Sequence, residues 1–163
     1  VQTSVQSALG CGFEGTIPEE RVLEIIKKYL EAGIRKISLA DTAGYGNPAQ
    51  VERIITAIKK LDSEVEIACH FHNTYGMGLA NCYAAMKAGA TVFESSTGGL
   101  GGCPFTKLAS GNVCTEDLIN FFNQMELRKD IDINVLIELA KEMSDYFQRE
   151  LPGYVYKAGV IKK

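Results

Sequence analysis

The chain has 163 residues, 46% hydrophobic and 23% charged, with a formal net charge of −3. That is enough apolar material for a sizeable core, while no run approaches the ~18 apolar residues of a membrane span and no lysine or arginine block suggests a nucleic-acid or membrane-surface partner. Five scattered cysteines (Cys11, Cys69, Cys82, Cys103, Cys114) include no C-x-x-C, which argues against a disulfide framework or structural zinc and for a reducing cytoplasm.

The chain opens on Val1, directly in a strand-like run, and so reads as the middle of a longer protein. Strands are expected at about 3–9, 36–41, 65–72 and 91–96, and helices from about 17, 48, 77 and 115, with a further helix at about 134–149. Val22, Ile25, Ile26, Tyr29 and Leu30 form one apolar stripe on the first helix, and Thr16-Ile17-Pro18-Glu19 reads as a capping box with proline in its first turn. The second helix opens at Asn47-Pro48 and buries Val51, Ile54, Ile55 and Ile58. Glu116 and Asp117 suit the positive end of the dipole of the helix that follows Thr115. Glu31-Ala32-Gly33-Ile34 and Lys87-Ala88-Gly89-Ala90 share a glycine suited to a left-handed helix cap that turns the chain back to the sheet. Such alternation implies a parallel sheet covered by helices. Four units make either a small doubly wound sheet or half of a (β/α)8 barrel, which needs eight strands and typically ~250 residues.

Polar residues gather at the expected strand ends, where parallel α/β folds build their sites. Asp41-Thr42 closes the second strand, His70-Phe71-His72 the third, and Glu94-Ser95-Ser96 the fourth. His70 and His72, the only two histidines, are two apart on a strand, share one face, and can ligate one metal ion together with Asp41. Nitrogen and oxygen donors suit zinc, manganese or magnesium. Cys69 and Phe71 then face the helices. Thr97-Gly98-Gly99-Leu100-Gly101-Gly102-Cys103-Pro104 reads as a mobile, backbone-rich loop that lacks G-x-G-x-x-G spacing. A thiol at Cys103 can transfer a proton or act as a nucleophile if its pKa is tuned. Asn112, taken alone, reads as a turn or helix-capping residue.

Five segments occur in an order that resembles a known family: Ala8-Leu9-Gly10-Cys11-Gly12-Phe13-Glu14-Gly15, Leu39-Ala40-Asp41-Thr42-Ala43-Gly44, His70-Phe71-His72-Asn73-Thr74-Tyr75-Gly76, Gly99-Leu100-Gly101-Gly102-Cys103-Pro104-Phe105 and Ala109-Ser110-Gly111-Asn112. Together they resemble the 3-hydroxy-3-methylglutaryl-CoA lyases of the DRE-TIM metallolyases. The resemblance runs from Val5 to about Phe147, and the Gly-Leu-Gly-Gly-Cys-Pro element is its most lyase-specific part. It implies a (β/α)8 TIM barrel of which this chain supplies strands five to eight. Residues 1–130 would form that half-barrel and 131–163 the C-terminal helix and tail of the same domain. A parent near ~300 residues is then expected, with the first half carrying a metal-binding aspartate. The fragment by itself is expected to be inactive and prone to aggregation through its unpaired strand edges.

By the same likeness, His70, His72 and Asn112 would be metal ligands. Asp41 would be a catalytic acidic position, His70 would assist proton transfer, and Cys103 would be the catalytic loop thiol. Thr42, Gly99, Gly101 and Gly102 fill the expected substrate-binding and loop positions. The implied reaction is retro-Claisen cleavage of an acyl-CoA to acetoacetate and acetyl-CoA with Mg2+ or Mn2+, zinc being less favoured. Asn73 stands where the lyase pattern has Asp, and Phe105 where it has Tyr, so the acyl group is less firmly implied than the reaction. The alternatives are a superfamily synthase joining acetyl-CoA to a 2-oxo acid, and a non-catalytic metal-binding paralogue. An acyl-CoA substrate, no nucleic acid or membrane partner, a homodimer of the full-length chain and a cytoplasmic location, with a role in leucine degradation, complete the expectations.

Overall fold

The computed structural model describes residues 1–102 and 111–161. Strands β1 (Gln2–Val5), β2 (Lys36–Asp41), β3 (Glu66–Phe71) and β4 (Val92–Glu94) alternate with helices α1 (Glu19–Glu31), α2 (Pro48–Leu61) and α3 (Gly78–Lys87), and are followed by α4 (Thr115–Gln124), α5 (Ile133–Tyr146) and the short α6 (Val155–Ala158). All three strand pairings are parallel and the order is β1-β2-β3-β4.

The pleat sorts side chains onto two unlike faces. Ile37, Leu39, Ile67, Cys69 and Phe71 are buried with Val22 and Ile26 of α1, Ile54, Ile55 and Ile58 of α2, and Cys82 and Ala85 of α3. Cys69 is thus a packing residue, as its strand parity predicts. The opposite face carries Gln2, Ser4, Ser38, His70 and Glu94, which line a cavity of about 310 Å³. Helices on one face and an unreversed strand order describe a segment of barrel wall; a doubly wound sheet changes direction and is covered on both faces. The curl is measurable. Gln2 Nε2 on the first strand donates to Glu94 Oε1 on the fourth at 3.2 Å, although three flat interstrand spacings would part their backbones by roughly 14 Å.

Gly33 and Gly89 hold φ of 78° and 102° and cap α1 and α3 as expected. Other boundaries moved. The capping box is absent: α1 starts at Glu19 after Pro18, with no side-chain cap. The first strand stops at Val5 because the chain then turns through Ser7 (φ 52°), whose N–H donates to Thr42 Oγ1 at 3.0 Å. The last long helix ends at Tyr146. Among the described residues, no helix is long and apolar enough to cross a membrane.

Candidate metal centre

β3 and β4 stay paired only as far as His70 and Glu94. Beyond that point residues 111–115 lie between their extensions. Val113 N donates to Phe71 O (3.0 Å), Asn73 N to Gly111 O (3.1 Å), Ser96 N to Val113 O (3.1 Å) and Thr115 N to Ser96 O (2.9 Å). This insertion shortens both strands relative to the sequence reading and pairs His72 with Asn112 in an isolated antiparallel bridge. Asn112 therefore does not cap α4, whose N-cap is Cys114.

The His70 and His72 ring centroids are 5.4 Å apart. His72 is 7% exposed. Burial, with a smaller push from His70, holds its imidazole below the ordinary value, which keeps it neutral and its lone pair available near pH 7. Asn112 Nδ2 donates to Leu100 O at 3.0 Å, whereas its Oδ1 is buried without a hydrogen-bond partner. A buried acceptor left unpaired, on the residue whose backbone is bridged to His72, fits an electrophile, and an amide oxygen with imidazole nitrogens suits a divalent cation. Among the described residues no three His, Cys, Asp or Glu side chains gather at one point. The set here is two imidazoles and one amide oxygen, and further ligands would have to come from elsewhere.

Asp41 is not part of this group. Its register beside Phe71 turns it toward the helix layer, where it is 0% exposed and accepts from Tyr45 N (2.9 Å) and Gly46 N (3.0 Å). The structure thus gives Asp41 the work of holding the β2–α2 loop and does not bring it to His70 and His72. Thr42 likewise ties the loop after β1 to the end of β2.

Burial pushes the Asp41 carboxyl up to about 6 from 3.8, against the opposing pull of the Gly46, Tyr45 and Gly44 backbones. Between those values the folded protein holds a proton that the unfolded chain releases. Asp41's stabilising share is therefore complete below pH 4 and lost as pH rises through 6, a change of about 3 kcal/mol. Asp41→Asn cannot titrate, and it puts an NH2 donor in place of one of the two oxygens that Tyr45 N and Gly46 N reach. In thermal melts of the full-length protein the variant should be destabilised most near pH 4 and least near pH 7; a pH-independent difference would refute this account.

The glycine segment is less free than its composition suggests. Gly98, Gly99 and Gly101 adopt φ of 63°, 71° and 101°, which other residues rarely adopt. Gly98 N donates to Glu116 Oε2 (3.1 Å), and Gly98 O accepts from Gly153 N (3.0 Å). A side chain at Gly98 would overlap Leu151, and one at Gly101 would come within 2.5 Å of Asn112 Nδ2. Glu116 and Asp117 are buried and bind backbone, with Asp117 Oδ1 accepting from Tyr154 N (3.0 Å) and Val155 N (2.7 Å). Their expected dipole role thus becomes a latch between α4, the glycine turn and the C-terminal tail. Gly101 and Gly102 are exposed. Cys103, the expected loop thiol, lies outside the described residues.

Glu94 carries more of the site than its sequence suggests. Its Oε2 lies 2.9 Å from His70 Nδ1, and its Oε1 accepts from Gln2 Nε2 and Ser38 Oγ, each at 3.2 Å. Strand alternation alone puts it on the inner face; the register beside His70 does not follow from any local pattern.

A curled parallel sheet with helices outside and its polar groups at the strand carboxyl ends defines part of a (β/α) barrel of the kind that enzymes use. Residues 2–143 match the HMGL-like family, and the chain belongs to that family. It is 38% identical over 149 residues to hydroxymethylglutaryl-CoA lyase YngG of Bacillus subtilis, covering 91% of this chain and 50% of that protein. It is 37% identical over 158 residues to (R)-citramalyl-CoA lyase of Chloroflexus aurantiacus, covering 97% and 50%. An HMG-CoA lyase structure from Acinetobacter baumannii, in complex with coenzyme A and 3-methylmalate, superposes with a TM-score of 0.92 at 42% identity, covering 99% of this chain and 53% of that one. The chain spans about half the length of the relatives it matches, and the partial-barrel reading stands.

Proposed function

We propose that this chain is the C-terminal half of a divalent-metal-dependent acyl-CoA lyase that cleaves 3-hydroxy-3-methylglutaryl-CoA to acetoacetate and acetyl-CoA. The supporting observation is the His72–Asn112 backbone bridge, which joins the strand end carrying both histidines to a residue whose buried amide oxygen has no partner, in a family whose named relatives are CoA lyases. His70 Nε2, His72 and Asn112 Oδ1 would hold a magnesium or manganese ion, with the remaining protein ligand in the other half of the barrel. When bound, such an ion supplies Lewis-acid polarisation of the substrate's oxygen atoms. The neutral state of His72 leaves its lone pair free for ligation. The Glu116 and Gly153 contacts anchor the start of the glycine loop, and Cys103 beyond it would deliver a proton to the departing acetyl-CoA enolate.

The full-length protein should release acetoacetate from 3-hydroxy-3-methylglutaryl-CoA with magnesium and not with chelator. Absence of product with metal still bound would move the substrate elsewhere. Citramalyl-CoA is the next to try, given the 37% identity to a lyase of that name. Cys103→Ala should lower turnover by roughly 10²–10⁴-fold, the usual worth of a general acid, and leave metal content unchanged. Metal loss in that variant would show that the thiol's role is wrongly assigned.

A further inference from the structure

The inner face of the sheet carries one polar network to which all four strands contribute: Gln2 from β1, Ser38 from β2, His70 from β3 and Glu94 from β4. Glu94 is its centre. Three groups converge on its two oxygens: an amide N–H and a hydroxyl, both donating at 3.2 Å, and an imidazole nitrogen 2.9 Å away. An ionised carboxylate only accepts hydrogen bonds, so the His70 nitrogen facing it must carry a proton. In a neutral imidazole the other nitrogen is then an unprotonated acceptor. Because Glu94 Oε1 is already engaged by Gln2 and Ser38, the carboxylate is held in place on the partner side as well.

We propose that Glu94 is a positioning residue which locks His70 in its Nδ1-protonated tautomer and so dedicates Nε2 to a ligand in the barrel interior. The tautomer assignment stands on the hydrogen-bond network alone; the identity of the ligand as a divalent ion rests on the proposed function above. A carboxylate behind a ligating imidazole aims the ring and raises its basicity, and its loss typically costs roughly 10–100-fold in metal affinity.

The test uses the metal-free full-length protein labelled with 15N-histidine, with Glu94→Ala and Glu94→Gln checked for folding by circular dichroism. His70 resonances are assigned by their disappearance in His70→Asn. In the parent, His70 should show an unprotonated Nε2 and a protonated Nδ1. In Glu94→Ala the ring should shift toward the Nε2-protonated form that predominates in free imidazole, with Glu94→Gln intermediate, because its amide oxygen can still accept. Manganese titrations followed by electron paramagnetic resonance should show affinity weakened roughly 10–100-fold in Glu94→Ala. An unchanged tautomer in folded Glu94→Ala overturns the proposal, and so does a parent protein that already holds the Nε2-protonated form. Loss of the tautomer in a protein that binds no manganese would support the role of Glu94 and overturn the metal reading instead.

Discussion

Replacing His72 by alanine should strip the divalent ion from the full-length protein and end turnover with it. His72 is one of three donors in the group, it is nearly buried, and it is held neutral by that burial. Its backbone carries the pairing with Asn112, and the flanking bonds from Val113 N to Phe71 O and from Asn73 N to Gly111 O are main-chain bonds that alanine keeps. The fold should therefore survive while the ion is lost. The fall in affinity should exceed the roughly 10–100-fold typical of removing an outer partner, because here a donor to the ion itself disappears. Manganese binding and metal content by elemental analysis read the result directly. Full occupancy in a folded variant would remove His72 from the ligand set.

Phe71→Ala should be the most damaging single truncation of the sheet. Phe71 is 1% exposed and lies in the main apolar cluster with the α2 and α3 residues that cover β3. Removing a buried phenyl ring costs about 3–5 kcal/mol, a large fraction of the 5–15 kcal/mol that holds most domains folded. The consequence reaches the site because Phe71 sits between His70 and His72, and its carbonyl anchors Val113 beside Asn112. Denaturant unfolding of the full-length protein should show the loss, with manganese affinity falling in parallel. A change below about 1 kcal/mol would mean that the helix layer collapses to fill the void.

The contrast between Asp41 and Glu94 shows where local reading stops. Both are acidic residues closing a strand, and both are equally visible in the sequence. Parity decides between them. Asp41 shares its face with Leu39 and Ile37 and turns into the helix layer, while Glu94 shares the inner face with His70. A strand boundary placed one residue off reverses that assignment, because successive side chains alternate between faces. Asn112 illustrates a different limit. The sequence Ser110-Gly111-Asn112 suits a turn before a helix, and only the insertion of residues 111–115 between β3 and β4 sets Asn112 against His72.

Short-range periodicity carries the first part of this fold. The βα alternation, the apolar stripes of the helices, the glycine caps at Gly33 and Gly89, the burial of Cys69 and the inward face of His70 all depend on residues within a few positions of one another. The five ordered motifs add the family, because their combination is specific even where each is short. The tertiary structure alone decides that the sheet curls enough for Gln2 to reach Glu94, that Glu94 stands behind His70, and that Glu116 binds the glycine turn while Asp117 binds the C-terminal tail. These contacts join residues 18 to 92 positions apart. They are fixed by strand register and by the path of one crossing segment, and no local pattern of side chains encodes which distant group will lie opposite.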